Sequence, residues 1–239
     1  MVGACLPHLF TLGNLFCGLL ALHFVLRAEA TGASFAPAAW LVMLGAMLDK
    51  MDGLVARRMR RDSQFGIELD SLADVCTFGV APAVLIYRSH LSQPWGLVVA
   101  FAFLVCGALR LARFNVLTLR QGRGSYYMGL PIPVAAVCLT QFVVFSASTW
   151  QAPHETVLAA VLVLVLAALM VSPLSYDTMP DLRASGLVER GKQAFLVTSI
   201  GLVLYNAERF LFPLVAVYIF SGLYRWVVGL FSDEVTQHA

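Results

Sequence analysis

Asp49, Asp52, Asp70 and Asp74 stand at the ends of two strongly apolar stretches of the chain. Asp49, Asp52, Gly53, Ala56 and Arg57 fall at i, i+3, i+4, i+7 and i+8, so a helix places them on one face. Gly66, Asp70 and Asp74, each four residues apart, form a second helical stripe. Carboxylates at membrane depth are costly and rare, and by default they mark a functional site. Four such charges repel one another, so a cation is the natural counter-charge, and hard oxygen ligands suit Mg2+ or Mn2+. The glycines allow a ligand or another backbone to approach closely. Arg57, one turn beyond Asp52 and Gly53, suits a phosphate oxygen. Aspartates merely solvated in a surface loop would not have membrane-grade apolar flanks.

Those flanks define the elements that must position the aspartates. The chain has 239 residues, 59% of them hydrophobic and only 13% charged, with a mean hydropathy of +0.79. A soluble domain carries about 25% charged residues. The expectation is an all-α, polytopic membrane helical bundle. No polar linker divides it, so residues 1–239 read as one membrane domain, with a catalytic core over about 1–150 and additional C-terminal helices over about 155–230. A span needs about 20 apolar residues. About eight transmembrane helices are expected, at roughly 8–26, 36–57, 70–88, 95–116, 129–149, 155–174, 193–208 and 210–230. The last two abut at Glu208 and Arg209, which predicts a tight helical hairpin or, alternatively, one bent span. A net charge of +2 gives no case for nucleic acid. Cys5, Cys17, Cys76, Cys106 and Cys138 are scattered, with no CxxC pair, and read as small buried hydrophobes. The N-terminus lacks the basic region and small-residue cleavage site of a removable signal peptide.

Basic residues set the expected orientation. Lys50, Arg57, Arg58, Arg60, Arg61, Arg110, Arg113, Arg120, Arg123, Arg183, Arg190, Lys192 and Arg225 fall on one side; Arg27, Arg88 and Arg209 fall on the other. The richer side is expected to be cytoplasmic, with both termini and the aspartates there.

Other polar residues are few. Thr11 and Asn14 lie one turn apart on one face of the first span. One reading makes them packing glue between helices. Arg58, Arg60 and Arg61 suit anionic lipid head groups. Arg110 and Arg113, at i and i+3 near the end of the fourth span, can converge on one anion; the competing reading is snorkelling to lipid phosphates. Pro82 should kink the third span, while Gly79 and Ala81 permit close packing there. Pro131 and Pro133 mark a rigid helix entry.

The pattern D-x2-D-G-x2-A-R-x8-G-x3-D-x3-D, from Asp49 to Asp74, resembles the signature of the CDP-alcohol phosphotransferases, and every position of it is filled. That family joins a CDP-linked lipid or alcohol to an acceptor hydroxyl and releases CMP. The resemblance implies the family's membrane fold and two divalent ions, Mg2+ or Mn2+, on Asp49, Asp52, Asp70 and Asp74. Asp74 is implied as general base. It implies CDP-diacylglycerol contacts at Asp52, Gly53, Arg57, Ser63 and Gly66, and a nucleotide-lining role for Thr11 and Asn14. His8 stands where relatives commonly carry Asn.

Within the family, the segments Leu9–Gly18, Phe65–Asp74, Phe78–Pro82, Arg110–Asn115 and Gly129–Pro133 resemble the integral-membrane phosphatidylserine synthases. This branch implies CDP-diacylglycerol and L-serine as substrates, in the cell (inner) membrane, and a homodimer. Serine is the common acceptor that carries a carboxylate, and Arg110, Arg113 and Asn115 are expected to bind it. The alternative is another CDP-alcohol phosphotransferase, making phosphatidylglycerol phosphate, phosphatidylinositol phosphate or phosphatidylcholine.

Overall fold

The computed structural model describes residues 6–59, 64–121, 129–149, 155–174 and 187–237, with side chains placed for 8–54, 64–117, 129–149, 155–174 and 198–224. Every regular element among them is helical: α1 (Leu6–Thr31), α2 (Ala36–Met59), α3 (Gln64–Asp74), a π-helical turn (Val75–Val80), α4 (Ala81–His90), α5 (Pro94–Gln121), α6 (Ile132–Thr149), α7 (Glu155–Val171) and α8 (Leu187–Gln237).

Among the described residues, five helices are long and apolar enough to cross a membrane: His8–Thr31, Gln64–His90, Pro94–Leu117, Ile132–Thr149 and Thr198–Tyr224. The expected eight spans are not all matched, for physical reasons. α2 has spanning length, but its last turns carry Asp49, Lys50, Asp52, Arg57 and Arg58. α7 has only 17 residues, so it rises about 25 Å, short of the roughly 30 Å hydrocarbon core. The last two expected spans form one element, α8, broken only at Asn206, which is extended at φ −157° and ψ 92°. Asn206 Oδ1 accepts the Arg209 N–H at 3.2 Å, so it caps the helix that follows.

Lipid offers no hydrophobic drive for helix association, so close packing of small residues supplies it. Ala21, Ala38, Ala39, Ala81, Ala135, Ala136 and Ala159 are buried where the helices meet, with Phe78, Phe103, Leu139 and Met170 filling the larger gaps. α1 packs chiefly on α2, α5 on α7, and α6 on α8. Leu12, Phe16, Leu19, Phe101, Leu164 and other large apolar side chains lie outside, as lipid-facing positions must.

Pro82 does not simply kink the third span. It has no N–H to give the Phe78 carbonyl, and the turn before it widens to π geometry, with the Ala81 N–H reaching back to the Cys76 carbonyl. α3, this turn and α4 thereby form one continuous rod from Gln64 to His90.

Polar contacts gather at the two ends of the bundle. At one end lie the aspartates, Arg110, Arg113 and the loop before α6. At the other, Arg88 pairs with Glu29 at 2.5 Å, and His90 meets Ser146 at 2.9 Å with Glu155 at 3.8 Å.

Candidate active site

Aspartates from the two helical stripes meet. α2 brings Asp49 and α3 brings Asp70 and Asp74 so that one carboxylate oxygen from each lies within 4.8 Å of the others. Asp74 is buried, Asp49 and Asp70 partly so, and Asp70 Oδ1 is buried without a hydrogen-bond partner. Three carboxylates aimed at one point, one of them holding an orphaned buried oxygen, make a hard-oxygen donor set that fits a divalent ion. Asp52, the fourth, stands outside this trio, with its Oδ2 accepting a hydrogen bond from Thr11 Oγ1.

α1 supplies the wall behind the carboxylates. Asn14 Nδ2 donates to Asp74 Oδ1 at 3.1 Å, and Thr77 Oγ1 donates to the Asn14 backbone carbonyl at 2.9 Å. Thr11 and Asn14 are both almost wholly buried. The sequence left them as packing glue or nucleotide contacts; in the structure they reach the motif aspartates themselves. The helices come close here because Gly18 and Gly45 lack side chains. A Cβ on Gly18 would lie 2.6 Å from Thr77 Oγ1, and one on Gly45 would lie 2.8 Å from Thr77 Cγ2. The sequence reading missed Thr77, although a hydroxyl three residues past Asp74 in an apolar span was the available signal.

The two arginines of α5 part ways. Arg110 is 6% exposed, with its guanidinium 5.6 Å from the Phe114 ring centre, and its charge acts on both Asp49 and Asp74. Arg113 turns to the C-terminal end of α7, where Nη1 donates to the Val171 carbonyl at 3.0 Å and Nη2 to the Ser172 carbonyl at 3.3 Å. These are orphan carbonyls of a helix end, which a cation there suits. The loop before α6 joins the same junction, through Gly129 N–H to the Leu174 carbonyl at 2.8 Å and Leu130 N–H to the Leu169 carbonyl at 3.0 Å. Gly129 has φ +81°, and a Cβ on it would sit 2.2 Å from the Met170 carbonyl oxygen. Asn115 Nδ2 donates to Ser71 Oγ at 2.8 Å, beside Asp70.

Gly53 lies one position past Asp52 on α2, and Gly66 one turn before Asp70 on α3, at the same end of the bundle. The His8 ring packs edge-on against Phe65, with centres 5.8 Å apart. The Arg57 side chain and Ser63 lie outside the described residues.

The chain is 35% identical over 230 residues to a CDP-diacylglycerol--serine O-phosphatidyltransferase of Helicobacter pylori strain J99, covering 92% of this chain and 90% of that protein. A Bacillus subtilis protein of the same name is 40% identical over 136 residues, 56% of this chain and 72% of that protein. An archaetidylserine synthase of Methanothermobacter thermautotrophicus is 36% identical over 183 residues, 75% of this chain and 72% of that protein. A family model described as CDP-alcohol phosphatidyltransferase matches residues 4–173, which hold the whole aspartate cluster, its α1 wall and Arg110, and this chain belongs to that family.

Proposed function

We propose that this protein transfers the phosphatidyl group of CDP-diacylglycerol to the hydroxyl of L-serine, giving phosphatidylserine and CMP. The observation that carries the reading is the meeting of Asp49, Asp70 and Asp74 oxygens within 4.8 Å of one another, at the end of the bundle where Arg110 is buried. The printed names of the relatives support the same donor and acceptor. The archaeal relative is named for a different lipid but again for serine, which supports the acceptor whatever the tails.

Asp49, Asp70 and Asp74, with Asp52 beside them, would hold two divalent ions, Mg2+ or Mn2+. When bound, these supply charge neutralisation for the diphosphate and for the departing CMP phosphate. Asp74 takes the proton of the serine hydroxyl as that oxygen attacks the β-phosphorus. The new P–O bond to serine forms, the P–O bond to CMP breaks, and CMP leaves with the electron pair. Gly53, Arg57, Ser63 and Gly66 cradle the diphosphate. Arg110 receives the serine carboxylate, a planar anion that suits its fork. Asn115 holds Ser71 and so trims the acceptor side of the pocket. Arg113 secures the α7 end that walls it. The acyl chains stay in the bilayer, and the head group enters from the cytoplasmic side, where the excess of basic residues supports the orientation. The working form is a homodimer in the cell (inner) membrane.

The test is CMP release by purified protein from CDP-diacylglycerol with serine, glycerol 3-phosphate, inositol phosphate or choline as acceptor. Release with serine and not with the others is expected. Release with one of the others in its place would overturn the acceptor assignment.

A further inference from the structure

Asn14 lies on α1, 60 residues away in sequence from the carboxylate it touches. It is wholly buried, and it is held through one side-chain hydrogen bond, one backbone hydrogen bond and close packing. Nδ2 donates to Asp74 Oδ1, its backbone carbonyl accepts from Thr77 Oγ1, and Oδ1 faces Gly45, where a Cβ would come within 2.9 Å. Oδ1 has no hydrogen-bond partner. A residue serving only to glue helices would satisfy both ends of its amide, because an unmet buried polar atom is costly. Here one end is sacrificed while the donor end is kept on a single carboxylate oxygen. A side chain that orients a ligating or proton-accepting carboxylate is the usual outer support of such a site.

We propose that Asn14 is a positioning residue for the general base: its amide fixes the rotation of the Asp74 carboxylate, with Thr77 and the Gly18–Gly45 notch fixing Asn14 in turn. The proposal rests on the reading of Asp74 as base and ion ligand given above. Positioning affects turnover and ion affinity but leaves substrate contacts intact. A nucleotide contact by Asn14 would act on the CDP-diacylglycerol KM, and simple helix packing would act on stability alone.

The experiment compares the purified full chain with Asn14→Leu and the isosteric Asn14→Asp, which keeps the shape and loses the donor. Steady-state kinetics are run with each substrate varied, alongside thermal unfolding and Mn2+ titration followed by electron paramagnetic resonance. The expected result is a 10- to 100-fold fall in kcat and a 10- to 100-fold weaker Mn2+ affinity, the range found for outer-shell supports. Both KM values should stay within about threefold. If Asn14→Leu does not fold, Asn14→Asp carries the test. A raised CDP-diacylglycerol KM with kcat intact would overturn the proposal in favour of a nucleotide contact. Kinetics and Mn2+ affinity both intact, with only the unfolding midpoint lowered, would overturn it in favour of packing. Absence of CMP release by the unaltered protein would instead strike at the proposed reaction, and the Mn2+ comparison would still decide whether Asn14 orients Asp74.

Discussion

Arg110 and Arg113 share one helix and one residue type, yet the structure gives them different work, and conservative replacement separates the two. In Arg113→Lys the positive charge stays near the α7 end, but a single ammonium nitrogen cannot occupy both fork positions from which Nη1 and Nη2 now meet the Val171 and Ser172 carbonyls at 3.0 and 3.3 Å. One hydrogen bond from a charged donor is lost, worth about 1.5–3 kcal/mol. At about 2–4 °C per kcal/mol for a chain of this size, the unfolding midpoint should drop by several degrees. Serine KM should change less than threefold. In Arg110→Lys the buried guanidinium over Phe114 is replaced by a point charge. If the fork holds the serine carboxylate, a loss of about 1.5–3 kcal/mol in binding is about a 10- to 140-fold rise in serine KM. CDP-diacylglycerol KM should move much less. The assay is CMP release with the two substrates varied separately, with thermal unfolding of the same preparations. An equal rise in serine KM in both variants, with no loss of stability in Arg113→Lys, would refute the division of labour.

Three further outcomes follow from the same geometry. Asp74→Asn should lower kcat by at least 10²-fold while substrate binding persists, since general-base catalysis is worth about 10²–10⁴-fold; activity within tenfold of the unaltered protein would remove Asp74 from that role. EDTA should abolish CMP release and added Mg2+ or Mn2+ should restore it, so turnover in excess chelator would rule out the ion-dependent reading. Gly129→Ala combines a left-handed backbone with a Cβ 2.2 Å from the Met170 carbonyl oxygen; it should cost about 1–2 kcal/mol or more in stability. Its effect should add incompletely to that of Arg113→Lys in unfolding experiments, because both disturb one junction.

Much of this architecture was legible in residue spacing. Aspartates three and four residues apart fixed their own helical faces, and the convergence of α2 with α3 needed only a turn between the apolar stretches that carry them. What spacing could not supply was the identity of neighbours far away in sequence. Thr11 and Asn14 were evident as a polar pair, but their partners, Asp52 and Asp74, lie 41 and 60 residues on. Arg110 and Arg113 shared a face by count, yet residues three apart on one helix still differ in side-chain direction, and the end of α7 captured the second. The count of eight spans is not confirmed: α2 is a continuous helix whose last turns carry charged residues, and α7 has only 17 residues. The junction expected at Glu208 and Arg209 fell at Asn206, where a side-chain cap could start the next helix.

The position of the π-helical turn ties these points together. It begins at the residue after Asp74 and ends two residues before Pro82, so the backbone irregularity that proline demands is placed beside the proposed base instead of at an arbitrary depth. Wide turns of this kind cost helical hydrogen bonding and persist where surrounding packing holds them. Here the holding element is visible: Thr77, inside the turn, fills the notch left by Gly18 and Gly45 and bonds the Asn14 carbonyl. Asp74 is therefore fixed along the chain through Thr77 and across it through Asn14. α1, α2 and α3 cannot slide past one another without moving that carboxylate.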